Sequence, residues 1–168
     1  AIASFTLLGD TLRAPNMRAL LVQGGAGGEG AATDALHALL QLMRTYAQVS
    51  CDDEAAWETD ADAFIEGDDE DHMGATLRTA AMDLLEQLLE DYPLPVLRVL
   101  RIALDTLAHT DRTDAAWWKP LEAQLLLLGS SHEAIEELVE ERQDDSLLSI
   151  PTMLASVVLP HLAAPAPT

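Results

Sequence analysis

Leu77-Arg78-Thr79-Ala80-Ala81-Met82-Asp83-Leu84-Leu85-Glu86-Gln87-Leu88-Leu89-Glu90-Asp91-Tyr92-Pro93-Leu94-Pro95-Val96-Leu97-Arg98-Val99-Leu100 decides the architecture. Leu77, Ala81, Leu84, Leu85, Leu88, Leu89 and Tyr92 recur at three- and four-residue intervals, which places them on one face of a helix. Asp83, Glu86, Glu90 and Asp91 lie off that face. Pro93 lacks the amide hydrogen needed to continue the helix, yet it suits the first turn of the next one. A second stripe follows at once in Val96, Leu97, Leu100, Ala103, Leu104 and Leu107. Two amphipathic helices joined by almost no linker must fold back on each other as a hairpin.

Outward from this pair the pattern repeats. Upstream, Leu36, Leu39, Leu40, Met43 and Tyr46 form a stripe with Thr33 or Asp34 as its expected N-cap. Before it, Ile2, Phe5, Leu8 and Leu12 have helical spacing, interrupted by Pro15 and then by the glycine-rich connector at 24–30. That connector is no phosphate loop, because no Gly-Lys-Ser/Thr follows it and no hydrophobic strand precedes it. Downstream, Trp117, Trp118, Leu121, Leu125 and Leu128 lead through Gly129-Ser130-Ser131 to Ile135, Leu138 and Val139. Gly129-Ser130-Ser131 either breaks this helix or only thins it, and the capping-box spacing of Ser130 and Glu133 allows a restart. A last helix starts near Ser149 and carries Met153, Leu154, Val157 and Val158.

The expected fold is therefore all-α, in three antiparallel hairpins: 1–23 with 34–49, 74–92 with 94–109, and 115–141 with 149–162. The second and third hairpins start about 40 residues apart, the period of HEAT and armadillo repeats, which stack into a solenoid. The divisions are a first hairpin with its connector (1–49), an acidic loop (50–73), a second hairpin (74–109), a third (110–162) and an Ala/Pro-rich tail (163–168). A compact bundle, in which the first hairpin packs on the third, is the competing architecture.

Charge is concentrated between the first two hairpins. Asp52, Asp53, Glu54, Glu58, Asp60, Asp62, Glu66, Asp68, Asp69, Glu70 and Asp71 follow one another with no Lys or Arg among them. Mutual repulsion predicts a solvated loop here, suited to a basic partner. The expected partner-binding carboxylates are Asp60, Asp62, Glu66, Asp68, Asp69, Glu70 and Asp71, with Trp57, Phe64 and Ile65 anchoring the loop to adjacent helices. Arg78, one turn beyond, is placed to pair with loop carboxylates. The whole chain carries 29 acidic and nine basic residues, a formal charge of −20. That balance argues against direct nucleic-acid binding and against an anionic membrane surface.

Chemistry is not assembled in the sequence. His37, His72, His109, His132 and His161 are scattered without a zinc-binding pattern, and Cys51 is the only cysteine. The carboxylates lack EF-hand spacing. No catalytic residue, metal or cofactor is expected, and no run is long and apolar enough to insert in a membrane. Ala1-Ile2-Ala3-Ser4-Phe5 has neither an initiator Met nor a basic signal-peptide start, so the chain reads as a piece of a longer protein.

The run Ala56-Trp57-Glu58-Thr59-Asp60-Ala61-Asp62-Ala63-Phe64-Ile65, its acidic cluster, and Leu77-Arg78-Thr79-Ala80-Ala81-Met82-Asp83-Leu84-Leu85 resemble importin-β-type nuclear transport receptors (karyopherins) of the importin-9 kind. Those carry a Trp-Glu-x-Asp-Pro-x-x-Phe-Val/Ile segment, an acidic cluster, and a helix opening Val/Leu-Arg-x-x-Ala-x-Asp-Leu-Leu. Trp117-Trp118-Lys119, Glu122-Ala123 and Leu128-Gly129-Ser130 resemble a further helix of the same family. Ala61 stands where the family usually has proline. The resemblance implies an internal fragment of a long HEAT superhelix. It further implies basic cargo such as histones and ribosomal proteins, nuclear import regulated by the GTPase Ran, and contact with nucleoporins. Ran would be bound mainly through repeats outside this fragment. Shuttling between cytoplasm and nucleus, with passage at the nuclear envelope, is implied as well. The alternative is a HEAT scaffold or histone-chaperone-like acidic module outside transport.

Overall fold

The computed structural model describes residues 9, 11–14, 29–64, 76–109, 113–142 and 148–160. Among them there are helices and short connections, and no strand. The elements are α1 (Glu29–Ala47), α2 (Cys51–Thr59), α3 (Leu77–Asp91), α4 (Pro93–Ala108), α5 (Trp118–Ser130), α6 (His132–Arg142) and α7 (Ile150–Met153). Beyond α7 the helix widens to π geometry over Leu154–Val158.

The two quoted stripes become α3 and α4. Thr76 caps α3 reciprocally with Thr79: the Thr79 amide donates to Thr76 Oγ1 at 3.1 Å, and the Thr76 amide to Thr79 Oγ1 at 2.8 Å. Ala81, Leu84, Leu85, Leu88 and Leu89 are all buried on its inner face. Pro93 then stops α3 and opens α4, whose Val96, Leu97, Val99, Leu100, Ala103, Leu104 and Leu107 complete the other half of the core. Tyr92 between them is itself buried, and its hydroxyl donates to the Leu12 carbonyl at 2.6 Å. Gln87 Nε2 donates to the Gly9 carbonyl at 2.9 Å, so two polar contacts fasten residues near the start of the chain to α3. The rest of the expected 1–23 helix, the connector at 24–28 and the 163–168 tail lie outside the described residues.

Three expectations change. First, α1 begins at Glu29, so Thr33 and Asp34 fall inside the helix and not at its start. Second, the expected 115–141 helix is divided at Ser131, whose carbonyl accepts the Ile135 amide at 3.0 Å as α6 begins. Ser130 does not cap that restart, because its hydroxyl donates back to the Leu127 carbonyl at 3.0 Å. Third, α1 packs against α5 as well as against α3 and α4. A strictly nearest-neighbour array would hold α1 away from the third pair. Here Leu36, Leu40, Met43 and Ala47 share one buried cluster with α3, α4 and α5 residues. The result is an all-α solenoid segment drawn tightly around α1.

Candidate functional site

Residues 51–59 and 61–64 of the acidic segment are helical where a loop is expected, and 65–73 lie outside the described residues. Ser50 Oγ accepts the Asp53 amide at 3.1 Å, while the Ser50 amide donates to Asp53 Oδ2 at 2.8 Å, closing a capping box. Asp52, Asp53 and Glu54 then sit in the first turn of α2. There the carboxylates meet the partial positive charge of the helix N-terminus, which offsets their mutual repulsion. A second short turn follows at 61–64, where the Ala63 amide donates to Asp60 Oδ1 at 3.0 Å. α2 buries none of its side chains. Its helicity comes from capping and the dipole, not from packing.

Two cations tie this region to the scaffold. Lys119 on α5 donates to Glu54 Oε2 at 2.6 Å, and this contact holds the lysine's pKa above its ordinary value. The same ammonium lies 5.8 Å from the centroid of the Trp118 ring. Among the described residues, Arg78 pairs with no carboxylate of the acidic segment. Its guanidinium forks onto Glu122, with Nη2 at 2.5 Å from Oε1 and Nη1 at 3.3 Å from Oε2. Nη1 also donates to the Ala47 carbonyl at 2.9 Å, so Arg78 joins the end of α1, the start of α3 and the start of α5. Planar two-point pairing of this kind favours arginine.

Of the expected partner-binding carboxylates, Asp60 and Asp62 are exposed beside the α2 carboxylates Asp52 and Glu58. Glu66, Asp68, Asp69, Glu70 and Asp71 lie outside the described residues, as does Ile65. Trp57 stays 50% exposed and meets Phe64 edge-on, with ring centroids 5.5 Å apart and planes at 74°. The two rings therefore clasp α2 to the 61–64 turn, rather than burying Trp57 in the scaffold helices. Trp117 is partly buried against the core, and Trp118 is half-buried beside Lys119.

A groove of about 520 Å³ runs between the end of α1, α2, the 61–64 turn and the start of α3. Tyr46, Val49, Ala56, Phe64 and Leu77 form its apolar wall, and Asp53 and Arg78 stand at its edge. Neither the groove nor the Glu54–Lys119 pair is signalled locally in the sequence, because their residues come from separate elements. Among the described residues, no group of three or more His, Cys, Asp or Glu is placed to hold a metal ion. Nor is any helix among them long and apolar enough to cross a membrane.

Amphipathic helices in succession, burying a shared core and presenting an acidic inter-helix segment, define a HEAT-repeat α-solenoid of the karyopherin type. A family model for importin-9 central HEAT repeats matches residues 30–158, and the chain belongs to that family. The match begins in α1 and ends with the π turn, so it includes the contacts among α1 to α6 but not those to Gly9 and Leu12.

Proposed function

We propose that this segment serves a nuclear import receptor by presenting acidic contacts to basic protein cargo, histones and ribosomal proteins being the expected kinds. The observation that carries this reading is the imbalance around α2. No Lys or Arg occurs between Arg44 and Arg78. Two scaffold cations that reach this region are already engaged, Lys119 by Glu54 and Arg78 by Glu122. Asp52, Glu58, Asp60 and Asp62 thus face solvent with their charge uncompensated by those cations. Such a surface steers basic proteins and repels acidic ones. Release would be controlled by Ran in its GTP form, bound chiefly by other repeats, as the receptor passes between cytoplasm and nucleus with nucleoporins as transient contacts.

The test is a titration of a core-histone pair at two salt concentrations, with GTP-loaded Ran as a parallel ligand. Neutralising Glu58, Asp60 and Asp62, and separately Asp68, Asp69, Glu70 and Asp71, as Gln or Asn should weaken histone binding. The loss should be larger at low salt, because exposed charges are screened beyond about 10 Å at 0.1 M. The helical circular dichroism should not change, since none of the described members of this set is buried. Unchanged affinity for both ligands would reduce the acidic segment to a solubilising spacer.

A further inference from the structure

We propose that the groove between α1, α2 and α3 seats an apolar side chain flanked by Lys or Arg on a basic protein segment, making it a mixed apolar and ionic docking site. This rests on the basic-cargo reading above and adds a specificity to it. Tyr46, Val49, Ala56, Phe64 and Leu77 supply the apolar part of one cavity of about 520 Å³, whose lining also includes polar side chains such as Gln48 and Thr76. That volume falls within the range of sites that enclose small ligands or several side chains. Exposed apolar surface continues from the groove. Tyr46 is 44% exposed, and Leu42, one helical turn earlier on the same face, is 45% exposed.

The occupant is chosen by charge. Of the α2 carboxylates Asp53 lines the groove, and Asp52, Glu58, Asp60 and Asp62 are exposed around α2 and the 61–64 turn. Arg78 at the groove edge is neutralised by Glu122, so it offers little attraction to an acidic group. An apolar side chain carried between Lys or Arg residues satisfies both the wall and the rim. An acidic or neutral apolar segment satisfies only the wall. The contribution expected from burying one leucine corresponds to about tenfold or more in affinity.

The experiment compares two short synthetic peptides on the whole chain: lysines and arginines flanking one leucine, and the same peptide with serine in place of the leucine. The leucine peptide should bind about tenfold tighter. Ala56→Phe, which fills the groove from an exposed helix position, should erase that preference. Ala63→Phe fills it from the opposite wall and guards against a fault particular to α2. Equal binding of the two peptides to the unsubstituted chain would overturn the groove while leaving the acidic surface as a basic-cargo site. Failure of both peptides and of the histone titration would remove the underlying reading as well. A leucine preference that emerges only after Ile65→Ser and Met73→Ser would assign the groove to the chain's own linker. Tighter binding of the leucine peptide's acidic counterpart would likewise overturn the proposal.

Discussion

Lys119 Nζ lies 2.6 Å from Glu54 Oε2 across 65 residues of sequence, and this ion pair joins the acidic helix to the scaffold. The lysine side chain is 14% exposed and the glutamate 35%, so solvent screens the pair incompletely. Lys119→Met should leave α3 and α4 protected from amide exchange while accelerating exchange in α2. Equal protection of α2 in both proteins would show that the pair does not hold it.

The same contact gives a pH dependence with a defined sign. Bonding to Glu54 raises the Lys119 pKa, so the folded chain holds this proton to higher pH than the unfolded chain does. Its contribution is complete below the ordinary lysine value of 10.5 and fades as pH rises through the higher folded value. Exchange measurements in α2 should therefore show this loosening only in alkaline solution, and Lys119→Met should remove that component.

Arg78 joins three elements at once, and its loss leaves both Glu122 and the Ala47 carbonyl without that donor. Arg78→Ala should lower unfolding stability by about 1.5–3 kcal/mol, the range for hydrogen bonds to charged groups. Arg78→Lys should recover only part of this, because an ammonium cannot reproduce the fork. Urea midpoints at constant slope measure both.

Ser50 acts locally. Ser50→Ala removes one half of the capping box and should destabilise α2 by about 1 kcal/mol. Because α2 buries no residue, the global melting temperature should barely move. A large fall in melting temperature would mean that α2 supports the core.

Gln124 is 2% exposed, and its buried Nε2 has no hydrogen-bond partner among the described residues. A desolvated donor of this kind costs about 1–3 kcal/mol. Gln124→Leu, similar in size and wholly apolar, should raise the melting temperature. A fall would show that the amide has a role that the packing does not reveal.

The scaffold was legible because its signal is periodic. The stripe from Ala81 to Leu89 maps directly onto buried positions, and Pro93 marks the boundary between α3 and α4. Leu154 shows the limit of that signal: it belongs to an apolar pattern, yet it is 46% exposed at the start of the π turn. The acidic segment was misread because repulsion was weighed without the capping box of Ser50 and Asp53. The site's ion pairs were not legible, since Glu54 with Lys119 and Arg78 with Glu122 depend on which helices become neighbours. Charge pattern predicts where attraction is available; only packing decides which residue receives it.

The absence of buried side chains in α2 also separates two kinds of change. A substitution in α3 or α4 disturbs a shared interior and is constrained by every helix that touches it. A substitution on the outer face of α2 alters the charge and shape offered to a visitor without reopening that interior. The helix can thus be rewritten while the framework stays the same, and selection for a new visitor can proceed there without first trading away foldedness.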